Sequence, residues 1–321
     1  MKIWIGVTDD DWFEFLRARK PDEVNFWQPS GGRAFRALEP GEPFLFKLHS
    51  PRNFVVGGGF FVRSLPLPVS LAWEAFGEKN GVADLAKFRA RILKYRRSSE
   101  DGDNFVVGCS ILTEPFFWPE SQWIPIPSDW APNIVQGKTY DTAAEAGAAL
   151  WREVVARQVA DTQMRGVSDS EQGSRYGTAY LARARLGQGA FRVLVTEAYH
   201  KRCAITGERT LPVLEAAHIR PFASEGPNRV SNGLLLRSDL HILFDRGYVT
   251  VTPDLHVQVS RRIREEFENG RDYYAHHGAP LRVVPADELE RPDPLFLRWH
   301  NEERFERSEP LAVLQHPLTH D

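Results

Sequence analysis

The chain has 321 residues, 42% of them hydrophobic, and a formal net charge of −3, which fits about two ordinary globular domains and excludes a fibrous or disordered protein. No apolar run approaches the roughly 20 residues of a membrane-spanning helix and no signal-peptide pattern opens the chain, so we expect a cytoplasmic protein. Only Cys109 and Cys203 are present, which excludes a disulfide framework or a zinc site built from cysteines.

The first 140 residues predict a mixed domain of short strands and two helices. β-Branched and aromatic residues bounded by turn residues predict strands at 2–7, 43–48, 54–62 and 105–112. Helices are predicted at 8–19 and 82–96. We therefore expect residues 1–140 to form a small α/β barrel or sheet domain.

The amino-acid composition of the chain changes after residue 141. Thr142 and Glu145 form a capping-box pattern before an Ala-rich run to residue 160, which predicts a helix. Residues 161–174 are polar and predict a linker. We assign 141–186 to a helical linker and 187–321 to a second domain, which begins with a helix at 189–200.

Polar residues occupy spaced positions in the apolar runs of the second domain. His218 ends an apolar strand, and Asn232 opens the next apolar run after an intervening loop. His241 and Asp245 follow on a short helix, and their i, i+4 spacing places them on one helical face. The predicted order is therefore strand, loop, asparagine and helix.

This set of groups suits phosphodiester hydrolysis. A neutral histidine can take a proton from the attacking water. A divalent cation held by imidazole and carboxylate can offset the charge on the scissile phosphate and the leaving oxygen. An asparagine can fix the loop that aims the base.

Residues 187–251 resemble the HNH endonuclease family, in the branch that reads Glu-Ala-Ala-His-Ile-x-Pro. The stretches that match are 199–207, 215–221 and 232–247. The resemblance implies a ββα-metal fold that uses Mg²⁺ or Mn²⁺, with His218 as general base, Asn232 as positioning residue and His241 as metal ligand. The catalytic residues are thus expected to be His218, Asn232 and His241.

The chain departs from this family at two positions. Many members carry Asp or His as a metal ligand where this chain has Ala217. Glu215, two residues back on the same strand face, and Asp245 are our candidates to complete the metal site with His241. Thr206 stands where a zinc-knuckle cysteine would be, so no structural zinc is expected.

Basic residues are unevenly distributed along the chain. Arginine and lysine outnumber acidic residues between Arg175 and Arg237, whereas the segment from Ser238 to Asp321 is acidic. A local basic stretch matters more to a phosphate backbone than the net charge of the whole chain. We assign Arg220 and Arg237 as candidate phosphate contacts.

The order of motifs between residues 25 and 59 resembles the EVE domain of the PUA superfamily. A Trp-containing loop at 25–30 is followed by 35–38, a turn at 40–42, and strands at 44–50 and 54–59. The resemblance implies a small β-barrel with an aromatic-lined pocket for a flipped, modified base, such as a methylated cytosine. The candidate pocket residues are Phe26, Trp27, Ser30, Glu114 and Trp118.

The two resemblances together predict an α+β protein in which an EVE-like barrel and a helical linker precede an HNH nuclease domain. This arrangement resembles type IV-like, modification-dependent restriction endonucleases. It implies cleavage of double-stranded DNA that carries 5-methyl- or 5-hydroxymethylcytosine, with a homodimer as one route to double-strand cleavage. The alternatives are a binding protein with a degenerate HNH module, a nuclease with an RNA- or protein-recognising domain, and a nuclease or nickase that does not depend on modification.

Overall fold

The computed structural model describes residues 1–31, 35–96, 104–164 and 186–306, with the backbone alone described for 161–164 and Phe222. The chain divides into two compact units, Met1–Ala190 and Phe191–Asp321. Both contain helices and strands, so the expected α+β class is confirmed. Residues 165–174 of the predicted linker lie outside the described residues. No described helix is long and apolar enough to cross a membrane.

The first unit is built on one seven-stranded sheet. Its strands are β1 (Lys2–Thr8), β2 (Glu23–Gln28), β3 (Pro43–Leu48), β4 (Phe54–Pro68), β5 (Val106–Phe117), β6 (Ile124–Pro125) and β7 (Gly137–Asp141). The order across the sheet is β2-β5-β4-β3-β1-β7, and β6 pairs with β4. β1 and β3 are parallel, and the other pairs are antiparallel. In the described residues the edge strands β2 and β7 do not pair with each other, so the sheet is not closed into a barrel.

In the part of this unit that the structure describes, four helices accompany the sheet: α1 (Asp10–Arg19), α2 (Val69–Phe76), α3 (Leu85–Tyr95) and α4 (Glu145–Met164). Helix α1 buries Trp12, Phe13 and Leu16, a spacing that forms one helical face. The Trp12 ring packs edge-on to Phe46 at 5.1 Å between centroids, and Phe26 packs on Phe44 at 4.7 Å. The core between helix and sheet is therefore largely aromatic.

The division between the two units falls in helix α5 (Gln188–Ala198). The second unit is built around an antiparallel hairpin and the helix that follows it. These elements are β8 (Leu214–His218), β9 (Gly233–Arg237) and α6 (Ser238–Asp245). His218 lies opposite Gly233 in the hairpin register. A Cβ on Gly233 would lie 2.5 Å from the Val195 side chain, so glycine permits the close packing of α5 on β9.

The rest of the second unit packs around this hairpin and helix. It comprises β10 (Val249–Val251), β11 (Val257–Val259), α7 (Arg262–Phe267), α8 (Arg271–Tyr274) and α9 (Pro294–Glu303). Leu234, Leu235 and Leu236 are all fully buried, so both faces of β9 are covered. Helix α9 begins where the Asp293 side chain accepts the N–H of Leu295, a common N-cap.

Candidate active site

Asn232 fixes the loop that follows His218. Its side chain is completely buried. Its oxygen accepts the backbone N–H of Arg220 at 2.9 Å, and its nitrogen donates to the backbone oxygens of Arg220 and Pro227, both at 2.9 Å. A single amide group therefore ties together three points of the loop backbone.

His218 lies at the end of β8, where its ring stacks on Phe191 with centroids 3.9 Å apart. Its Nε2 is 2.7 Å from the side-chain oxygen of Asn228. Because an amide oxygen only accepts hydrogen bonds, this contact assigns the proton to Nε2 and leaves the lone pair of the neutral ring on Nδ1. Burial lowers the pKa of His218 from its ordinary value of 6.5, against a smaller opposing effect of the bond to Asn228. The ring is therefore mainly neutral at pH 7.

Both ring nitrogens of His241, on α6, face carboxylates. Nδ1 lies 2.6 Å from Oε2 of Glu215 on β8, and Nε2 lies 3.3 Å from Oδ2 of Asp245 one helical turn later. A neutral ring that donates its proton to Glu215 presents a lone pair to Asp245. Two such electron-rich atoms at this distance repel each other unless a proton or a metal cation lies between them.

The pair His241 and Asp245 fits two neighbouring positions of a divalent metal site. Ligand atoms about 2.1 Å from an ion and at right angles to each other are about 3.0 Å apart, close to the observed 3.3 Å. In the described parts of the chain, no group of three or more His, Cys, Asp or Glu side chains is placed to hold a metal. Water and substrate oxygens would therefore complete the coordination, as is common for Mg²⁺. Glu215 contacts the other ring nitrogen and does not share these positions.

One cavity, here called the C-terminal cavity, brings these groups together. It has a volume of about 340 Å³ and is lined by Ala216, His218, Ile219, Pro221, His241, Asp245, His300 and Arg304. Burial raises the pKa of Asp245, against the opposing charges of His241 and Arg304. Ala217, at the position where many HNH proteins carry a ligand, is fully buried in the core.

The two arginines expected to contact phosphate both have hydrogen-bond partners within the protein. Nε and Nη2 of Arg237 donate to Oδ1 and Oδ2 of Asp239, both at 2.7 Å. Arg220 donates to the backbone oxygen of Ser224 at 2.6 Å. Neither residue lines the C-terminal cavity, whereas Arg304, which the sequence analysis did not select, does.

His300 was also absent from the predicted site, and it supports the helix that carries His241. Its ring stacks on Phe244 at 3.7 Å between centroids, and its Nε2 lies 3.1 Å from the backbone oxygen of Phe244 in the last turn of α6. Its Nδ1 lies 2.8 Å from the hydroxyl of Thr250. A carbonyl oxygen only accepts, so the proton is on Nε2 and Thr250 donates to Nδ1. Burial lowers the pKa of His300 to about 4.

A larger cavity of about 820 Å³, here called the N-terminal cavity, lies in the first unit. Phe26, Trp27 and Ser30 line it as the sequence analysis expected. Glu114 and Trp118 do not. Trp118 is 3% exposed and belongs to the core, and the backbone N–H of Glu114 donates to another loop of the unit.

The wall of the N-terminal cavity combines aromatic rings with polar groups. Trp27 is fixed because its indole N–H donates to the backbone oxygen of Asn80 at 3.0 Å. On the polar side, Asp9 lies 3.4 Å from His49 and accepts the Tyr95 hydroxyl at 3.2 Å. A ring for stacking together with donors and acceptors is what a pocket for a planar heterocycle requires.

Comparisons with known proteins bear mainly on the second unit. Residues 203–252 match the family model of the HNH endonuclease. No curated protein matches the chain. Among solved structures, the ASCH protein from Zymomonas mobilis is similar at 10% identity and a TM-score of 0.32, over 48% of this chain and 94% of that one.

The modification dependent TagI restriction endonuclease is similar at 17% identity and a TM-score of 0.27, over 88% of this chain and 75% of that one. TM-scores this low carry no weight by themselves. The family match, by contrast, spans the ββα unit, with His218 and Asn232 on its hairpin and His241 on its helix. Residues 203–252 are an HNH endonuclease domain.

Proposed function

We propose that this protein is a metal-dependent endonuclease that cuts double-stranded DNA carrying 5-methyl- or 5-hydroxymethylcytosine. The observation that carries the nuclease half is the C-terminal cavity, which is lined by His218, His241 and Asp245. It places a neutral imidazole beside a pair of groups suited to a divalent cation. The HNH family match supports the same reaction.

His218 acts as the general base. Its Nε2–H is held by Asn228, so Nδ1 takes the proton from the water that attacks the phosphorus. Asn232 holds the loop that carries Asn228 and therefore acts as a positioning residue. When bound by His241 and Asp245, Mg²⁺ or Mn²⁺ would supply charge that offsets the developing negative charge on the leaving oxygen.

Glu215 orients His241 in this proposal. Its carboxylate accepts the Nδ1–H of His241 at 2.6 Å, which keeps the lone pair on Nε2, the nitrogen that faces Asp245. Carboxylates in this outer position fix the tautomer of a metal-binding histidine and raise its basicity. Glu215 thus acts on the metal site through its hydrogen bond to His241 and does not contact the ion itself.

The N-terminal cavity receives the flipped modified base. Trp27, which is partly buried, offers a ring for stacking, whereas the ring of Phe26 is 7% exposed and belongs to the core behind the cavity wall. The polar groups that line the cavity are suited to the edge of the base. Burial of a C5 methyl group contributes roughly 1 kcal/mol, enough to favour the modified base when other contacts are equal.

Since one HNH site cuts one strand, a homodimer would make a double-strand break. Two free, buried cysteines fit a reducing cytoplasm.

Plasmid cleavage tests both halves of this proposal. Unmodified DNA is compared with DNA carrying 5-methylcytosine or 5-hydroxymethylcytosine, in Mg²⁺ and in Mn²⁺, with His218→Ala as the inactive control. We expect cleavage of the modified DNA alone. Cleavage of every substrate would remove the modified-base reader and keep the nuclease. Absence of cleavage in either metal would favour a binding protein with a degenerate HNH module.

A further inference from the structure

Arg304 brings a guanidinium to the C-terminal cavity from outside the segment 203–252 that matches the HNH family. It follows helix α9, whose last turns are anchored on β10 because His300 accepts the hydroxyl of Thr250 at 2.8 Å. The backbone N–H of Arg304 donates to the oxygen of His300 at 3.1 Å. Arg304 is therefore held one helical turn beyond an anchored, buried residue that lines the same cavity.

The charge of Arg304 is available to a ligand. Within the described ranges its guanidinium makes no hydrogen bond or ion pair, and it lies 5.9 Å from the centroid of the Trp299 ring. The two other arginines considered for phosphate binding differ from it, because Arg237 is paired with Asp239 and Arg220 donates to a backbone oxygen. Among the described residues that line the C-terminal cavity, Arg304 alone carries a permanent positive charge.

We propose that Arg304 binds the non-bridging oxygens of the scissile phosphate and stabilises them as negative charge builds up in the transition state. This inference rests on the proposed phosphodiesterase function. A planar guanidinium can donate two parallel hydrogen bonds to two phosphate oxygens. Fixed positive groups aimed at developing charge are among the largest contributions to catalysis.

With this role for Arg304, the charged groups of the cavity act on different parts of the phosphodiester. The carboxylate of Asp245 belongs with the metal and the leaving oxygen, and Arg304 serves the oxygens that neither leave nor attack. His218 is neutral before the reaction, and its only task is to accept the proton of the attacking water. Arg304 is in this sense a catalytic residue positioned by α9, and that helix does more than pack against the HNH domain.

Hydrolysis of bis(p-nitrophenyl) phosphate by the full chain in Mn²⁺ tests this role, because this small diester reports on the C-terminal cavity without a DNA reader. We expect Arg304→Ala to lower kcat by about 100-fold with a smaller change in KM. Arg304→Lys keeps the charge but cannot donate two parallel hydrogen bonds, so its kcat should lie between those of the wild type and Arg304→Ala. Arg298→Ala is the matched control, because Arg298 is exposed on the same helix and does not line the cavity. Equal rates for Arg304→Ala and Arg298→Ala would overturn the proposal.

A metal-free titration with inorganic phosphate provides a readout that does not depend on turnover. The ring signals of His218 are followed by NMR, with thermal unfolding as the check on folding. We expect saturable shifts in the wild type and Arg298→Ala, and binding about ten-fold weaker or more in Arg304→Ala, as for the loss of a charge-assisted hydrogen bond.

The two measurements separate failure of this inference from failure of the proposed function. If the wild type hydrolyses neither DNA nor the small diester, the nuclease function fails and the catalytic role of Arg304 fails with it, while the phosphate titration still decides whether Arg304 binds phosphate. Phosphate binding that is unchanged in Arg304→Ala, or absent in the wild type, would overturn the role of Arg304 whatever the hydrolysis rates.

Discussion

Nε2 of His241 faces Oδ2 of Asp245 across 3.3 Å, one helical turn apart on α6. The other nitrogen of the same ring is 2.6 Å from Glu215. The two carboxylates therefore flank opposite edges of one imidazole, and the proposed mechanism gives them different chemical tasks. One is placed to share a cation with the ring, and the other to hold the ring proton.

The affinity for Mn²⁺ should distinguish the role of Asp245 as a metal ligand from the role of Glu215 in orienting His241. Asp245→Ala removes one of two protein ligand atoms, so we expect no measurable Mn²⁺ binding by calorimetry. Glu215→Gln leaves both ligand atoms and weakens orientation, so affinity should fall by about 10- to 100-fold. Asp254→Asn, on an exposed turn of the same unit, is the control. Equal losses in the Asp245 and Glu215 variants would contradict the division.

The pH dependence of cleavage should report on His218. The base works when neutral, and burial lowers the pKa of His218 from 6.5, so activity should rise with pH through a midpoint below 6.5. His218→Ala should lose about 10²- to 10⁴-fold in kcat. An acid limb centred well above pH 6.5 would point to a different base.

Asn228 should shift that acid limb in a known direction. Its hydrogen bond raises the pKa of His218, so Asn228→Ala should move the limb to lower pH. The same change frees the ring to rotate, so the plateau rate should fall. A lower rate with an unmoved limb would mean that Asn228 does not bond to the imidazole during turnover.

Asn232 should matter to stability as well as to activity. Asn232→Ala leaves a buried backbone N–H and two carbonyl oxygens without their partner, which we expect to cost about 2–4 kcal/mol in urea unfolding. Asn232→Asp keeps the acceptor but cannot donate, so it should not rescue. Ser231→Ala is the neighbouring control, and a similar loss there would argue against a specific role of the amide.

The hairpin and helix of the active site could be predicted from sequence because their signals are local. His218 and Asn232 are joined by one loop, and the helical spacing of His241 and Asp245 fixes their common face. Strand alternation placed Glu215 beside the site, but only the packed structure shows which ring nitrogen of His241 it contacts.

Residues that reach a cavity through tertiary packing gave no such signal. Arg304 joins the C-terminal cavity because α9 packs on β10, and no motif links that helix to the HNH segment. Trp118 is the reverse case, a residue that was predicted to line a pocket and lies in the core. An aromatic residue in a strand-rich domain has the same pattern whether it lines a pocket or fills the core, and Trp118 fills the core.

His300 should make the second unit sensitive to acid. The folded state keeps the pKa of His300 at about 4, against an ordinary value of 6.5, so the unfolded chain binds more protons between these values. Stability is then fully present above pH 6.5 and falls as the pH drops to 4, by about 3 kcal/mol. His300→Phe should flatten this dependence in urea unfolding, whereas His256→Asn, at a partly exposed site, should leave it unchanged.

Recognition of the modified base should depend on Trp27 and not on Trp118. Trp27 lines the N-terminal cavity with its indole N–H fixed, so Trp27→Ala should remove a stacking partner and weaken binding of methylated DNA by about 1–3 kcal/mol. Trp118→Phe should lower the melting temperature and keep the preference for methylated over unmethylated DNA, measured by fluorescence anisotropy without metal. If Trp27→Ala kept that preference and Trp118→Phe lost it, the base would bind elsewhere in the first unit.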